Sequence, residues 1–548
     1  MNKRNNRRLV LGLDSSTQSL SAIVIDIDSA KKCFEHAIDY RADERTNCFS
    51  IGEDYILPPC HSMAEGEAEQ PPLMYLASLD AMFADLRNAD VALEEIVAIN
   101  TSGQQHGHVY LNKNLSIIFS NLLRAESSTL ELKTLLAGVF SYFTAPIWMT
   151  ANTLTQAAHV REAVGGKTEM IALSGSDAPL RFTGAVIRRV AEQSPDEYAA
   201  TEKIQLISSF IPAVLTANPL VPIDTGNACG MSLMNYRKKE WDNELIAATA
   251  SGIPGGHEEL QRKLPELAPP DTVVGNIAKY FVEKYGFSDN CTIVAGSGDN
   301  PQAKVPVAGD LLSLGTSFVN MVSTDGNTLD PEGYANAMYD GIGRPFMFGC
   351  RTNGAMVWDT VRSNYGLTKE EYKPAEKALE DVSPGQYMTF WQPKAESFPV
   401  SGAFELIRTT ERDTHSLAED YAGVIETSLA AVYIFSQVFT KQTNDPLYVT
   451  GGATDSPEIM RRVAGIWNRS VVSVEKGGAA LGAAVAGVKA YCDHIGESFN
   501  VEDFSKTVLK RGVLIQPKPT DVAAYHREGN YLQRFRETYQ RIIDKNPL

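Results

Sequence analysis

Leu9-Val10-Leu11-Gly12-Leu13-Asp14-Ser15-Ser16-Thr17-Gln18-Ser19 begins as an apolar run and breaks into a polar turn. The run has the composition of a buried strand, and Ser21 to Ile27, rich in β-branched residues, predicts a second strand after the turn. Strand, short hydroxyl-bearing turn, strand is a β-hairpin pattern, and Cys33 to Tyr40 is a candidate third strand. The pattern returns far downstream: Leu311-Leu312-Ser313-Leu314 leads through Gly315-Thr316-Ser317 into Phe318 to Val322. Two copies of one pattern in 548 residues predict two related domains, a division that length alone also favours. The boundary falls near residue 308, giving a first domain over 1–308 and a second over 309–548.

Between the copies the chain alternates strand, polar loop and helix, which is α/β material. Pro71-Pro72 opens a helix with Leu73, Leu76, Leu79, Met82, Phe83 and Leu86 on one face. Ile96 to Ile99 predicts a strand that ends in Asn100-Thr101-Ser102-Gly103-Gln104-Gln105-His106-Gly107. Residues 41–70, with Pro58-Pro59 and several Glu, read as an irregular and mostly exposed insertion. Leu447 to Thr450 is a strand ending in Gly451-Gly452-Ala453, and Gly477-Gly478 precedes an Ala-rich helix over Ala479 to Lys489. The last fifty or so residues show helical pattern without a motif.

Composition narrows the function. Apolar residues at 43% and charged residues at 21% are ordinary for a soluble globular chain, and a net charge of -17 argues against a nucleic-acid or anionic-membrane surface. The seven cysteines are scattered and never form a CxxC pair, which predicts neither a disulfide framework nor a zinc site. The basic start of the chain is followed by an apolar run that Asp14 cuts short of a signal-peptide core, so a cytoplasmic protein is expected.

Several stretches could carry chemistry. In Ile293-Val294-Ala295-Gly296-Ser297-Gly298-Asp299-Asn300-Pro301 a strand delivers one carboxylate, Asp299, to a turn, with a helix expected from Gln302. Gly296 and Gly298 remove side chains where another molecule could lie against the backbone. Ser, Thr and Gly in the two hairpin turns can aim N–H groups and hydroxyls at phosphate oxygens, and Asp14 could hold a hydrated Mg²⁺. A plain hairpin remains the commoner use of either turn taken alone. Gly451-Gly452 and Gly477-Gly478 suit close packing or the face of a flat ring. Gln104, Gln105, His106 and His108 form a polar cluster fit for a polyhydroxylated molecule, and Arg181 is either a solvated charge or a substrate contact. Two patterns fail: Gly166-Lys167-Thr168 lacks the earlier P-loop glycine, which is Arg161, and His257-Glu258 lacks the second zincin histidine, which is Gln261.

Eight short stretches in order resemble the FGGY carbohydrate kinases of the actin-like, RNase H-like ATPase superfamily, and within them the xylulokinases of the longer, animal-type branch. They are Leu13-Asp14-Ser15-Ser16-Thr17-Gln18, Gly103-Gln104-Gln105-His106-Gly107, Trp148-Met149, Arg181-Phe182-Thr183-Gly184, Ser208-Ser209-Phe210, Gly298-Asp299-Asn300-Pro301, Ser313-Leu314-Gly315-Thr316-Ser317 and Thr450-Gly451-Gly452-Ala453. The resemblance implies two actin-like domains around a central cleft, with sugar mainly on the first and ATP mainly on the second. It implies Asp299 as general base, and Gln105, His106, Arg181 and Asn300 at the ketose. It also implies Thr17, Gln18 and Thr316 at phosphates, Asp14 with Mg²⁺, and Gly451, Gly452 and Ser456 at the nucleotide. Ser16, Thr150 and Asn227 depart from the commoner family residues, the last two by removing carboxylates from the expected sugar side.

The expected reaction is ATP-dependent phosphorylation of D-xylulose on O5, by a monomer or homodimer with no nucleic-acid or membrane partner. The alternatives are a kinase for another sugar or polyol such as ribulose, an actin-like ATPase without a small-molecule acceptor, and a binding protein that has lost catalysis.

Overall fold

Strand Leu9–Ser15 lies at the centre of the first sheet, and every one of its seven residues is buried. The structure is a computed structural model that describes residues 7–58, 65–368, 371–410, 414–475 and 478–548. Of the residues singled out above, Pro59 and Gly477 lie outside the described residues, as does one of the seven cysteines, Cys60. Leu9–Ser15 pairs antiparallel with Ser19–Asp26, which pairs antiparallel with Lys31–Asp39. On its other side it runs parallel to Ile96–Gly103, which runs parallel to Thr292–Val294. Val273–Asn276 closes the sheet antiparallel to Thr292–Val294.

The second sheet repeats the plan. Leu311–Leu314 pairs antiparallel with Phe318–Ser323, and that strand pairs antiparallel with Pro345–Arg351. Its other neighbour, Leu447–Thr450, runs parallel to it and to Val471–Val474, and Arg511–Ile515 adds an antiparallel edge. The faint echo in the sequence is thus a repeat of strand order and direction over six strands. Arg511–Ile515, whose three central residues are all exposed, lies in a region read as helical.

The chain divides into two compact units, as a two-domain α/β protein. They are interleaved rather than split at one point: residues 1–306, 337–345 and 477–508 form the first, and 307–336, 346–476 and 509–548 the second. The expected clean boundary at 308/309 therefore needs correcting for two excursions back into the first unit. The larger contains helix Gly478–His494, and its composition explains its place. A Cβ on Gly12 would meet Ala480 O at 2.1 Å, and one on Gly482 would meet Gln302 O at 1.8 Å. Small residues let this helix lie flush on the sheet, where Asn100 Nδ2 donates to Ala483 O at 2.9 Å.

Helix Pro72–Asn88 buries Met74, Leu76, Leu79, Met82, Phe83 and Leu86 in the core of the first unit. The insertion departs from expectation at its end, where Ala68, Glu69 and Gln70 are buried. Among the described residues no helix is long and apolar enough to cross a membrane.

Candidate active site

In the first unit, strand Thr292–Val294 breaks at Gly296, whose φ of +81° leaves the region open to other residues. Ser297–Gly298 then resumes pairing, parallel to Ser102–Gly103, and a helix spans Asp299–Lys304. The helix thus begins at Asp299, ahead of Pro301 rather than after it. The two glycines also serve a different purpose from the one expected. A Cβ at Gly296 would strike Thr101 Oγ1 at 2.3 Å and one at Gly298 would strike Gln105 Cγ at 2.6 Å. They make room for the protein's own side chains.

Asp299 sits in a recess where part of its surface still meets solvent. Its Oδ1 accepts the Asn300 backbone N–H at 2.8 Å and Asn300 Nδ2 at 3.0 Å, and Asn300 Nδ2 also donates to Gln105 Oε1 at 2.9 Å. Desolvation, and after it the nearby Asp14 charge, pushes this carboxyl up to about 7, against the pull of the Asn300 and Gln105 donors. Asp14 ends the first strand and accepts Ser102 Oγ at 2.7 Å; burial raises it to about 6.

The first turn is tied down from several directions. Trp148 Nε1 donates to Thr17 Oγ1 at 2.8 Å, Thr17 Oγ1 donates to Gln104 Oε1 at 3.2 Å, and Gln70 Nε2 donates to Thr17 O at 2.8 Å. Gln18 is exposed, and its carbonyl accepts the Tyr40 N–H at 2.9 Å.

His106 adopts φ +68°, is buried, and stacks on Phe182 with ring centroids 4.5 Å apart. Its Nδ1 lies 2.9 Å from Gly230 O, so Nδ1 carries the proton and Nε2 is left as an acceptor. Burial, with the Arg181 charge second, lowers its pKa to about 3, so the ring is neutral near pH 7. Arg181 is half-buried beside it. His106, Arg181, Gln105, Asn300, Asp299 and Asp14 thus all belong to the first unit.

Two buried residues that the motifs did not single out complete this layer. Asp224 Oδ2 accepts Ser297 Oγ at 2.5 Å and the Asn227 N–H at 2.9 Å, and burial raises the carboxyl to about 7. Gln70, at the end of the supposed insertion, joins Gln104 Nε2 to its own Oε1 at 2.7 Å. Asp224 carries the sequence signal of a helix cap, since it precedes the short helix Thr225–Ala228; Gln70 carried no signal. The two departing positions are engaged structurally. Thr150 Oγ1 exchanges hydrogen bonds with the Ala68 backbone, and Asn227 Nδ2 donates to Ser208 Oγ at 2.8 Å.

In the second unit a cavity of about 630 Å³ is lined by Gly315, Thr316, Gly451, Gly452 and Ser456, with Trp358, Tyr372, Glu376 and Tyr421. This brings together the residues expected at a nucleotide. Gly451 is needed for packing: it has φ +106° and a Cβ there would meet Leu314 O at 2.4 Å. A Cβ on Gly452 would meet nothing within 4 Å, so this glycine leaves open space. Ser456 caps helix Pro457–Trp467 by accepting the Ile459 N–H at 3.1 Å.

Residues 142–305 match the N-terminal domain, and residues 311–491 the C-terminal domain, of the FGGY family of carbohydrate kinases. Together these matches take in more than half of the chain. Xylulose kinase 2 of Arabidopsis thaliana is 28% identical over 98% of this chain and 98% of its own length. D-xylulose kinase A of Aspergillus niger is 33% identical over 65% of this chain and 60% of its own. Among solved structures, a xyloylose kinase from Brucella ovis superposes with a TM-score of 0.79 at 18% identity, covering 98% of this chain and 99% of that one.

Proposed function

Because the chain belongs to the FGGY family of carbohydrate kinases, we propose that it transfers the terminal phosphoryl group of ATP to O5 of D-xylulose, with Asp299 as general base. The oriented Asp299 carboxyl, raised to about 7, carries this reading. A base is most effective with a pKa near the working pH, and Asn300 and Gln105 fix the direction in which this one faces. As the acceptor oxygen bonds to phosphorus, its proton passes to Asp299 and ADP leaves with the electrons of the broken P–O bond.

The acceptor sugar is assigned to the first unit. His106 offers Nε2 as a hydrogen-bond acceptor for a sugar hydroxyl, held in place by its Gly230 bond and the Phe182 stack, and Arg181, Gln105 and Asn300 supply further polar contacts. The nucleotide is assigned to the cavity of the second unit, with Thr316 at phosphate and Gly451, Gly452 and Ser456 along the nucleoside. Thr17 and Gln18 in the first turn are assigned to the transferred phosphate.

Magnesium fits this residue set. Asp14 offers one buried carboxylate, close enough to Asp299 for its charge to act there, which suits an ion held by one or two carboxylates, water and substrate phosphates. Bound there, it would offset phosphate charge.

Asp299→Ala is expected to fold and bind ATP while its kcat for xylulose falls by about 10³-fold or more. Near-normal turnover would remove Asp299 from its role. A panel of ketoses and polyols assayed by ADP release tests the acceptor, and a strong preference for ribulose would replace xylulose.

A further inference from the structure

The wall of the second unit's cavity contains a carboxylate held in an unusual way. Glu376, on helix Tyr372–Glu380, accepts the Glu458 backbone N–H through Oε1 at 2.9 Å and the Ser456 hydroxyl through Oε2. Ser456 in turn accepts the Ile459 N–H. A serine hydroxyl has a single hydrogen to give, and here Glu376 receives it. The pair therefore presents acceptor lone pairs to the cavity and no donor.

The assignment above orients a nucleotide in this space, with its phosphates at Gly315 and Thr316 and its nucleoside along Ser456; Arg362 and Lys373 also line the cavity, as do the acids Asp359 and Asp455. The base is left for the wall formed by Glu376, Ser456 and the aromatic residues Trp358, Tyr372 and Tyr421. At C6 adenine carries an amino group, a donor, where guanine carries an oxo group, an acceptor. The Glu376–Ser456 pair can accept from the first and has no hydrogen to give to the second.

We propose that Glu376, with Ser456 locked against it, selects adenine over guanine nucleotides by accepting the exocyclic amino group. This deepens the nucleotide assignment made above and rests on it. Of the two other acids in the lining, Asp359 and Asp455, Asp359 is engaged by Arg362 at 2.6 Å.

The test compares kcat/KM for ATP, GTP and ITP at saturating ketose in the natural protein and in Glu376→Gln. Glutamine keeps an acceptor oxygen for the helix cap and adds an amide N–H that can donate to a 6-oxo group. The ATP:GTP ratio is expected to fall by about tenfold or more in the variant, with the sugar KM and melting temperature little changed. ITP, which shares the 6-oxo group but lacks the 2-amino group, should follow GTP. A ratio within about twofold of the natural protein's overturns the proposal. Gly452→Leu, which places a side chain in open space of the same cavity, separates the two levels of failure. If it raises the ATP KM while Glu376→Gln leaves the ratio unchanged, only the role of Glu376 falls. If it leaves the ATP KM untouched, the cavity is not the nucleotide site and both readings fall.

Discussion

Three acids at the candidate site of the first unit and two in the core of the second are held in opposite ways. In the second, Glu426 lies against Arg462 at 3.0 Å and Asp420 against Arg408 at 2.6 Å, each carboxylate meeting a guanidinium. In the first, Asp14, Asp224 and Asp299 are held by Ser102, by Ser297 and by Asn300, all neutral donors. A neutral donor orients a carboxylate without cancelling its charge, so the group stays available to a proton or a cation. Cation-paired acids also occur in the first unit, where Glu67 and Glu69 face Arg189, so the contrast sets the candidate site apart from structural acids of either unit. Partner type, more than burial, marks where the chemistry sits.

Breaking a cation-paired acid should cost stability and spare the chemistry. Glu426→Ala strands the fully buried Arg462, which keeps Glu458 and the Leu379 and Val382 carbonyls as partners. A loss of about 3 kcal/mol is expected in denaturant unfolding, with the KM for sugar unchanged at temperatures where the protein stays folded. A variant as stable as the natural protein would show that the pair is dispensable and would blur the contrast between the units.

Changing an acid held by neutral donors should do the reverse. Asp14→Asn keeps an acceptor for Ser102 Oγ and nearly the same volume, so the fold should persist. Removal of its charge is expected to lower kcat by about 10²-fold and to raise the Mg²⁺ concentration needed for half-maximal rate. An unchanged Mg²⁺ dependence would take Asp14 away from the metal.

Much of this arrangement could be read from the chain. Continuous apolar runs ending in Ser, Thr and Gly located both central hairpins, because a strand buried on both faces leaves that signature. The Asp299 segment was legible for the same reason. What escaped notice was long-range or context-dependent. Gln70 sits on a two-residue strand after an irregular segment, and nothing local says that its amide reaches the Thr17 carbonyl. The return of helix Gly478–His494 to the first unit follows from Ala and Gly fitting the groove at Gly12, a match between two surfaces that no single window contains. Glycines at 296 and 298 are visible in the sequence, which does not say whether a ligand or the side chains of Thr101 and Gln105 fill the space they leave.

The smallest effect expected is also a gain. Asp299 is raised to about 7 in the folded protein against about 4 for an ordinary aspartate, so between these values the folded chain holds a proton that the unfolded chain has lost. Where the native state binds more protons, stability falls as pH rises, and here the fall runs from about pH 4 to pH 7 and then levels. Asp299→Asn has no proton to lose and escapes that penalty, while its amide can still accept the Asn300 N–H. At pH 8 the variant should therefore melt about 2–4 °C above the natural protein, and the gap should close toward pH 4. Burial raises Glu426 to about 7 as well, against the pull of Arg462, but Glu426→Gln removes that guanidinium's charge partner and should lower the melting temperature at pH 8 instead of raising it. A melting temperature for Asp299→Asn that is lower than the natural protein's at pH 8, or a difference that does not depend on pH, would mean that the carboxyl is not strained toward its protonated form. Its claim to be the base would then rest on orientation alone.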